Sequence, residues 1–333
     1  MSKRSRTLDS FFACPPTKKS RAEGNDGNSG ANDISEDQHL DVSGVDTAML
    51  SAHSTYPYAI PHLPIEVFNV LNFAPEAEAR VINDQPDLDL VYYQPYVPKD
   101  AHRALFDFLR LNLFFYRVKY MIKRGTLETQ INTPRFTTVF GLDDTCHFNS
   151  EGRIVESTSG KPAANGAYKC KPRPLPQALD LLRTLTENAT GCKFNFALVN
   201  YYASGSDSIS FHSDDERFLG VEPAIASFTL GAKRDFLLKH KPTPAGHISE
   251  TKAMKLPLAS GDMILMKGLT QSKWLHSIPK RKGDEADRGR INITFRRAMV
   301  KGGTENYYRY NVGDGEVYKW CASRHEMQLW TNG

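Results

Sequence analysis

The chain has 333 residues, 40% of them hydrophobic, enough to bury one large core or two smaller ones with tails to spare. No apolar run reaches the roughly 18 residues that a membrane-spanning helix needs, and no apolar segment follows the basic N-terminus, so neither a membrane anchor nor a secretory signal is expected. Five scattered cysteines, none in a C-x-x-C pair, argue against a disulfide framework or a zinc knuckle, and a total charge of +4 permits a polyanionic partner without requiring one.

That charge is unevenly spread: residues 1–22 carry +5 and residues 23–50 carry −7, which leaves +6 for the rest. Residues 1–54 are rich in Ser, Gly, Asn and Asp, show no sustained hydrophobic period, and are expected to form a disordered tail. Two motifs lie in it. In RTLDSFF a single tight turn would place Leu8, Phe11 and Phe12 on one side, and the stretch resembles the PCNA-interacting peptide Q-x-x-L-x-x-F-F, with Ser5 where that motif has Gln. The resemblance implies the sliding clamp as a partner; the plainer alternative is a stray apolar cluster. PPTKKSR resembles a short nuclear localisation signal through Lys18, Lys19 and Arg21, which implies a nuclear protein, against the alternative of a solvated charge run.

Residues 55–175 read as a mixed N-terminal extension. From Pro98, the spacing of Ala101, Ala104, Leu105, Phe108 and Phe115 predicts an amphipathic helix. A second helix is predicted from Leu175, Leu179, Leu182, Leu185 and Ala189, with Gly191 placed to stop it. Between them, residues 125–170 are polar, contain Gly and Pro, and read as a long irregular connection of the kind that often carries function. Within residues 176–300 the period changes to two. FNFALVNYY, ISFH, AIASFTLG, RDFLLKHK, MKLPLA, DMILMK, KWLHSI and GRINITFR are eight short runs separated by turn signals, which predicts a mainly β fold: a double-stranded β-helix, or jelly roll, with the helices packed outside. Residues 301–333, rich in Tyr and Trp, are expected to fold back as a C-terminal cover.

In a strand, residues two apart face the same side, so His212 and Asp214 of ISFHSDDERF could share an ion. His276, in KWLHSIP, is a third donor on another strand. Two imidazoles and one carboxylate form the facial set of non-haem Fe(II) oxygenases, and the same three ligands could hold zinc with a water for hydrolysis. H-x-D alone is a weak signal, since a histidine near acids is commonly a surface feature. GRINITFRR strengthens it. Alternation puts Arg290, Asn292, Thr294 and Arg296 on one face and Ile291, Ile293 and Phe295 on the other. If the apolar face packs on the helices, the barrel interior receives two guanidiniums, which need an anionic partner there. A dicarboxylate would match the planar fork of arginine.

Taken together, NFALVNYYASGSDSISFHSDDERFL, KWLHSIP and RINITFRR resemble the AlkB family of Fe(II)- and 2-oxoglutarate-dependent nucleic-acid dealkylases, in particular its eukaryotic DNA-repair branch, over roughly Asp87 to Met299. The resemblance implies His212, Asp214 and His276 as ligands of Fe(II), with O2 and 2-oxoglutarate as co-substrates. It implies that Arg290, assisted by Tyr202, binds the distal carboxylate of 2-oxoglutarate, and that Asn200, Asn292 and Arg296 hold the remainder. Asn200 and Tyr202 are also an i, i+2 pair on one strand face, though two buried polar groups bonded to the protein would show the same spacing.

By the same resemblance Glu216 faces the target base, whose N-alkylation makes it cationic, and TPRFTTVFGLDD with Tyr168 forms a nucleotide-recognition lid. Phe140, Tyr168 and His212 are candidates to stack on a flipped base. Arg135, Lys169, Lys171, Arg173, Lys233 and Arg234 are candidates for a phosphate track, or ordinary surface charge. The expected activity is oxidative demethylation of 1-methyladenine and 3-methylcytosine in DNA by a monomer, with release of succinate, CO2 and formaldehyde. Three alternatives stand: the same chemistry on methylated RNA or protein, a non-catalytic clamp- and nucleic-acid-binding module, and a zinc hydrolase.

Overall fold

The computed structural model describes residues 49–124, 127–242, 251–308 and 315–331. Leu8, Phe11 and Phe12, and with them Lys18, Lys19 and Arg21, lie outside the described residues. The chain divides into two units, Met1–Met49 and Leu50–Gly333, and every element named below belongs to the second. No helix among the described residues is long and apolar enough to cross a membrane.

Besides two small hairpins, Leu50–Ser51 with Ile60–Pro61 and Cys146–Phe148 with Ile154–Glu156, the strands in chain order are β1 (Ala79–Ile82), β2 (Leu90–Tyr93), β3 (Phe115–Tyr116), β4 (Lys119–Arg124), β5 (Leu127–Asn132), β6 (Phe136–Gly141), β7 (Phe196–Tyr202) and β8 (Ile209–His212). They continue as β9 (Ile225–Gly231), β10 (Arg234–His240), β11 (Met254–Leu258), β12 (Met263–Met266), β13 (Trp274–Ile278), β14 (Arg290–Arg296), β15 (Val317–Cys321) and β16 (Glu326–Leu329). Helix α1 spans His102–Asn112 and α2 spans Gln177–Thr190.

Strands β7 to β14 are the eight runs of alternating sequence, and they form the jelly roll. One sheet has the order β16-β15-β3-β6-β7-β14-β9-β12-β2-β1 and the facing sheet β8-β13-β10-β11. Within the roll neighbouring strands pair antiparallel. Helices α1 and α2 cover the outer face of the large sheet. Leu105, Leu109, Leu179 and Leu182 pack there with Ile291, Ile293 and Phe295 of β14, all 0% exposed. The space between the two sheets holds a second apolar cluster, including Tyr92, Tyr202, Ile225, Phe236, Leu238 and Trp274. Strand β14 therefore turns its apolar side to the helices, as its alternation predicts, and its charged side inward.

Local sequence explains the helices with two adjustments. Helix α2 ends at Gly191, which takes φ +70° and donates its N–H to the Glu187 carbonyl at 2.9 Å. On α1 the buried stripe is Leu105, Phe106 and Leu109; Ala104 is exposed, and Phe115 is already in β3. The stripe is rotated because Phe106, rather than Phe108, meets the backbone at Gly231, where an added Cβ would come within 2.6 Å of its ring.

The largest difference lies in residues 125–170. They contain β5 and β6, and β6 is a buried strand of the large sheet, paired along β7 from Phe196↔Gly141 to Tyr201↔Phe136. Its run FTTVFG hides a strand because its two threonines are interior, with Thr137 Oγ1 donating to Asn200 Oδ1 at 3.0 Å. The C-terminal residues extend the same sheet, β15 pairing with β3 and β16 with β15.

Candidate metal and co-substrate site

His212 closes β8, and His276 is its directly paired residue on β13. That register brings the two rings to a centroid separation of 4.2 Å. Asp214 lies two residues past the strand end, where its backbone N–H donates to the buried Gln271 side chain at 3.0 Å. His212 Nε2 is 3.9 Å from Asp214 Oδ1, and His276 Nε2 is 3.8 Å from Asp214 Oδ2. One ligand atom from each of the three residues lies within 4.8 Å of the others. Two cross-strand paired histidines and an aspartate just past the end of β8, rather than within it as the i, i+2 reading expected, thus converge on one point.

The electrostatics suit a cation. Burial lowers the pKa of both imidazoles, that of His276 to about 3 with the help of neighbouring His212, so both rings are neutral and offer lone pairs at pH 7. The Ser210 carbonyl lies 2.9 Å from His212 Nδ1 and can only accept, so that nitrogen carries the proton and Nε2 is left free. Burial alone would raise the Asp214 pKa, but Arg296, at 3.0 Å from Oδ2, and the two histidines hold it below the ordinary carboxylate value.

The inward face of β14 carries the second half of the site. Arg290, Asn292, Thr294 and Arg296 are all buried. Arg290 sits 5.2 Å from the Tyr202 ring centre and donates from Nη2 to Thr229 Oγ1 at 2.8 Å. Its Nε and Nη1 are buried without a partner, as is Arg296 Nε. Burial lowers the Arg290 pKa to about 10, which leaves it cationic at pH 7. A shielded guanidinium with two unpartnered nitrogens is costly unless an anion docks on it. Two imidazoles and a carboxylate for a first-row metal, beside this unfilled fork for a carboxylate, fit Fe(II) and 2-oxoglutarate.

The remaining candidates divide. Asn200 and Asn292 face inward and are bonded to the protein: Asn200 Oδ1 accepts from Arg135 Nε at 3.1 Å and Asn292 Nδ2 donates to Ser227 Oγ at 2.9 Å. Arg135 thus reaches the site through Asn200. Glu216 Oε1 accepts from the Tyr307 hydroxyl, which in turn accepts from Arg296 Nη1. Tyr168 is half-buried, its hydroxyl 3.1 Å from Asp143 Oδ2. Phe140 does not join the site. It is 0% exposed, points to the helix side of β6 and packs against Phe114 and Tyr56.

Two of the basic residues expected on a phosphate track are interior braces. Arg234 is 1% exposed and donates to the carbonyls of Asp207 and Pro279; Arg173 is 7% exposed and donates to the Thr55 carbonyl and the Tyr116 hydroxyl. Lys169, Lys171 and Lys233 are exposed, and Asp215 pairs with Lys241 at 2.8 Å outside the ligand group. Sequence reasoning did not find Thr229, Gln271 or Tyr307, whose residue types carry no signal before the fold brings them to the site.

Residues 89–296 match the 2OG-Fe(II) oxygenase superfamily. The chain belongs to that superfamily. Its oxygenase domain, like others of the superfamily, is tied to Fe(II), 2-oxoglutarate and O2, the set its residues fit. Among curated proteins it is similar to "DNA oxidative demethylase ALKBH2" of Arabidopsis thaliana, 32% identical over 62% of this chain and 66% of that protein. The human protein of the same name is 40% identical over 39% of this chain and 49% of its own length. The rat "Alpha-ketoglutarate-dependent dioxygenase alkB homolog 3" is 41% identical over 37% of this chain and 43% of its own. The chain thus spans between 43% and 66% of the length of these relatives. The AlkB-like reading of H-x-D, the distal histidine and R-x-N-x-T-F-R agrees with these matches.

Proposed function

We propose that this 2OG-Fe(II) oxygenase removes alkyl groups oxidatively from N-alkylated DNA bases, 1-methyladenine and 3-methylcytosine foremost. The observation that carries the reading is the convergence of His212, Asp214 and His276 beside the unpartnered N–H groups of Arg290. The names of the relatives, two of them DNA oxidative demethylases, support the choice of target. His212, Asp214 and His276 would hold Fe(II), and Arg290, Arg296 and Tyr202 would hold 2-oxoglutarate. The bound metal, co-substrate and O2 supply an oxidation of the N-methyl carbon, with succinate, CO2 and formaldehyde as products.

The chain's own part is orientation and charge. The Ser210 carbonyl fixes the His212 tautomer, and Arg296 keeps Asp214 ionised. Arg290 anchors one end of the co-substrate by a two-bond fork. Burial raises the Glu216 pKa, Asp214 adds to the rise and Arg296 opposes it; the carboxyl group lies against the site as an acceptor for a cationic base. A base must leave its stack to reach such an enclosed centre. The exposed Lys169, Lys171 and Lys233 would meet the phosphates. The clamp-like motif at Leu8, Phe11 and Phe12 and the basic cluster at Lys18, Lys19 and Arg21 support a nuclear protein tethered near replication.

Single- and double-stranded DNA, RNA and a peptide, each carrying matched methyl groups, are incubated with Fe(II), ascorbate and 2-oxoglutarate and read by mass spectrometry. Loss of methyl from the DNA with formaldehyde release is expected. A clear preference for peptide or RNA moves the target, and turnover without O2 or 2-oxoglutarate points to a hydrolase.

A further inference from the structure

Tyr307 lies beyond residues 89–296, the part of the chain that matches the oxygenase superfamily, yet its side chain enters the site. It is 5% exposed and packs between the rings of Phe196, at 5.3 Å, and Phe218, at 6.0 Å. The segment that leads to it is pinned at two points. Gly302 N–H donates to buried Asp143 at 2.9 Å, and Glu305 Oε1 accepts from the Lys169 N–H at 2.8 Å. The hydroxyl accepts from Arg296 Nη1 and donates to Glu216 Oε1. Arg296 in turn binds Asp214, so one chain of polar contacts runs from a metal-ligand candidate to the carboxyl that faces the base.

Glu216 has two oxygens in different states. Oε1 is held by Tyr307, whereas Oε2 is shielded from water and has no partner. A shielded carboxyl oxygen left unpaired is unfavourable and is ready to take a donor. We propose that Tyr307 is a positioning residue for lesion choice: by fixing Oε1 it aims Oε2 at an N–H of a cationic alkylated base. The inference rests on the DNA-repair reading. It separates lesions by chemistry. 3-Methylcytosine is cationic and presents an exocyclic N–H, while 1,N6-ethenoadenine is neutral and has lost that N–H, so only the first gains from an aimed oxygen. Because Arg296 polarises the Tyr307 hydroxyl, the contact is of the strengthened, charge-assisted kind.

The test measures, without O2, the binding of single-stranded oligonucleotides to the full chain loaded with Fe(II) and 2-oxoglutarate. Tyr307→Phe should weaken binding of the 3-methylcytosine strand by about tenfold, the size of one hydrogen bond to a charged group, and that of the ethenoadenine strand far less. Under turnover, KM for 3-methylcytosine should rise more than kcat falls. Glu216→Gln should show the same lesion-selective loss, and adding Tyr307→Phe to it should cost little more, since the two groups act as one unit. Equal weakening of both lesions, losses that multiply in the double variant, or a Glu216→Gln protein that binds 3-methylcytosine like the parent would each overturn the role of Tyr307; the last holds even if Tyr307→Phe does not fold. A parent protein that does not tell alkylated from unmodified strands overturns the repair reading as well, whereas a parent that discriminates alongside an unaffected Tyr307→Phe overturns this inference alone.

Discussion

Asp214 is shared between two imidazoles and a guanidinium, so each neighbour can be tested by its own removal. His276→Ala deletes one of three donors. Anaerobic titration with Fe(II) and 2-oxoglutarate should give a weak visible band in the parent and none in the variant, with turnover down by at least about a hundredfold. A band that survives would take His276 out of the ligand set. Arg290→Lys keeps a charge but loses the planar fork, so KM for 2-oxoglutarate should rise by about tenfold or more, measured with DNA saturating. An unchanged KM would mean that the free N–H groups of Arg290 serve another anion. These residues were legible in the sequence because metal donors and inward arginines have few other uses at such spacing. Thr229, Gln271 and Tyr307 were not, because a threonine, a glutamine or a tyrosine gains its role only from the register that brings it near. Phe140 misled for the converse reason: an aromatic in a stretch read as a loop looks available for stacking, and only the pairing of β6 with β7 shows which side it faces.

The elements owe their stability to different faces. Leu182, 0% exposed on α2, packs on the outer side of the large sheet, and Leu182→Ala should cost about 2–5 kcal/mol in denaturant unfolding. Near the end of the same helix, Glu187 accepts from the Phe194 backbone N–H at 2.8 Å and binds Arg183 at 2.9 Å and Lys193 at 3.1 Å. Burial alone would raise its pKa, but these three partners outweigh it and hold the carboxyl below its usual value. A carboxyl lowered on folding stabilises fully above its unfolded pKa, near about 4.3, and loses that contribution as pH falls through the folded value. Glu187→Gln should therefore lower the melting temperature at pH 7, and the gap should close as pH falls below about 4; a gap constant with pH would remove the ionised contact as its cause. At this scale the jelly-roll strands were readable from period-two runs and the stop of α2 from Gly191. Strand β6 was not, since two adjacent buried threonines, of which Thr137 donates to Asn200, break the alternation that marks a strand.

Across the whole molecule, the large sheet joins residues from both ends of the described chain, from β1 to the C-terminal β15 and β16. Tyr307 and Tyr308 are buried in the core, so the last segment is part of the fold. Truncation after Val300 should lower stability by about 1.5–3 kcal/mol for each of these two rings and should broaden or abolish the thermal transition. A truncated protein that melts like the parent would make the segment a mere appendage. The sequence allowed a folded-back cover but not its place in the sheet, because pairing across two hundred residues leaves no local trace. Strand β14 holds both guanidiniums and lies between β7 and β9, which have no ladder with one another. A nascent chain therefore leaves the ribosome with two strand edges waiting on either side of a gap, until residues 290–296 emerge and close it. A nonsense codon upstream of Arg290 yields a sticky product for quality control to clear, with no diminished enzyme among the outcomes.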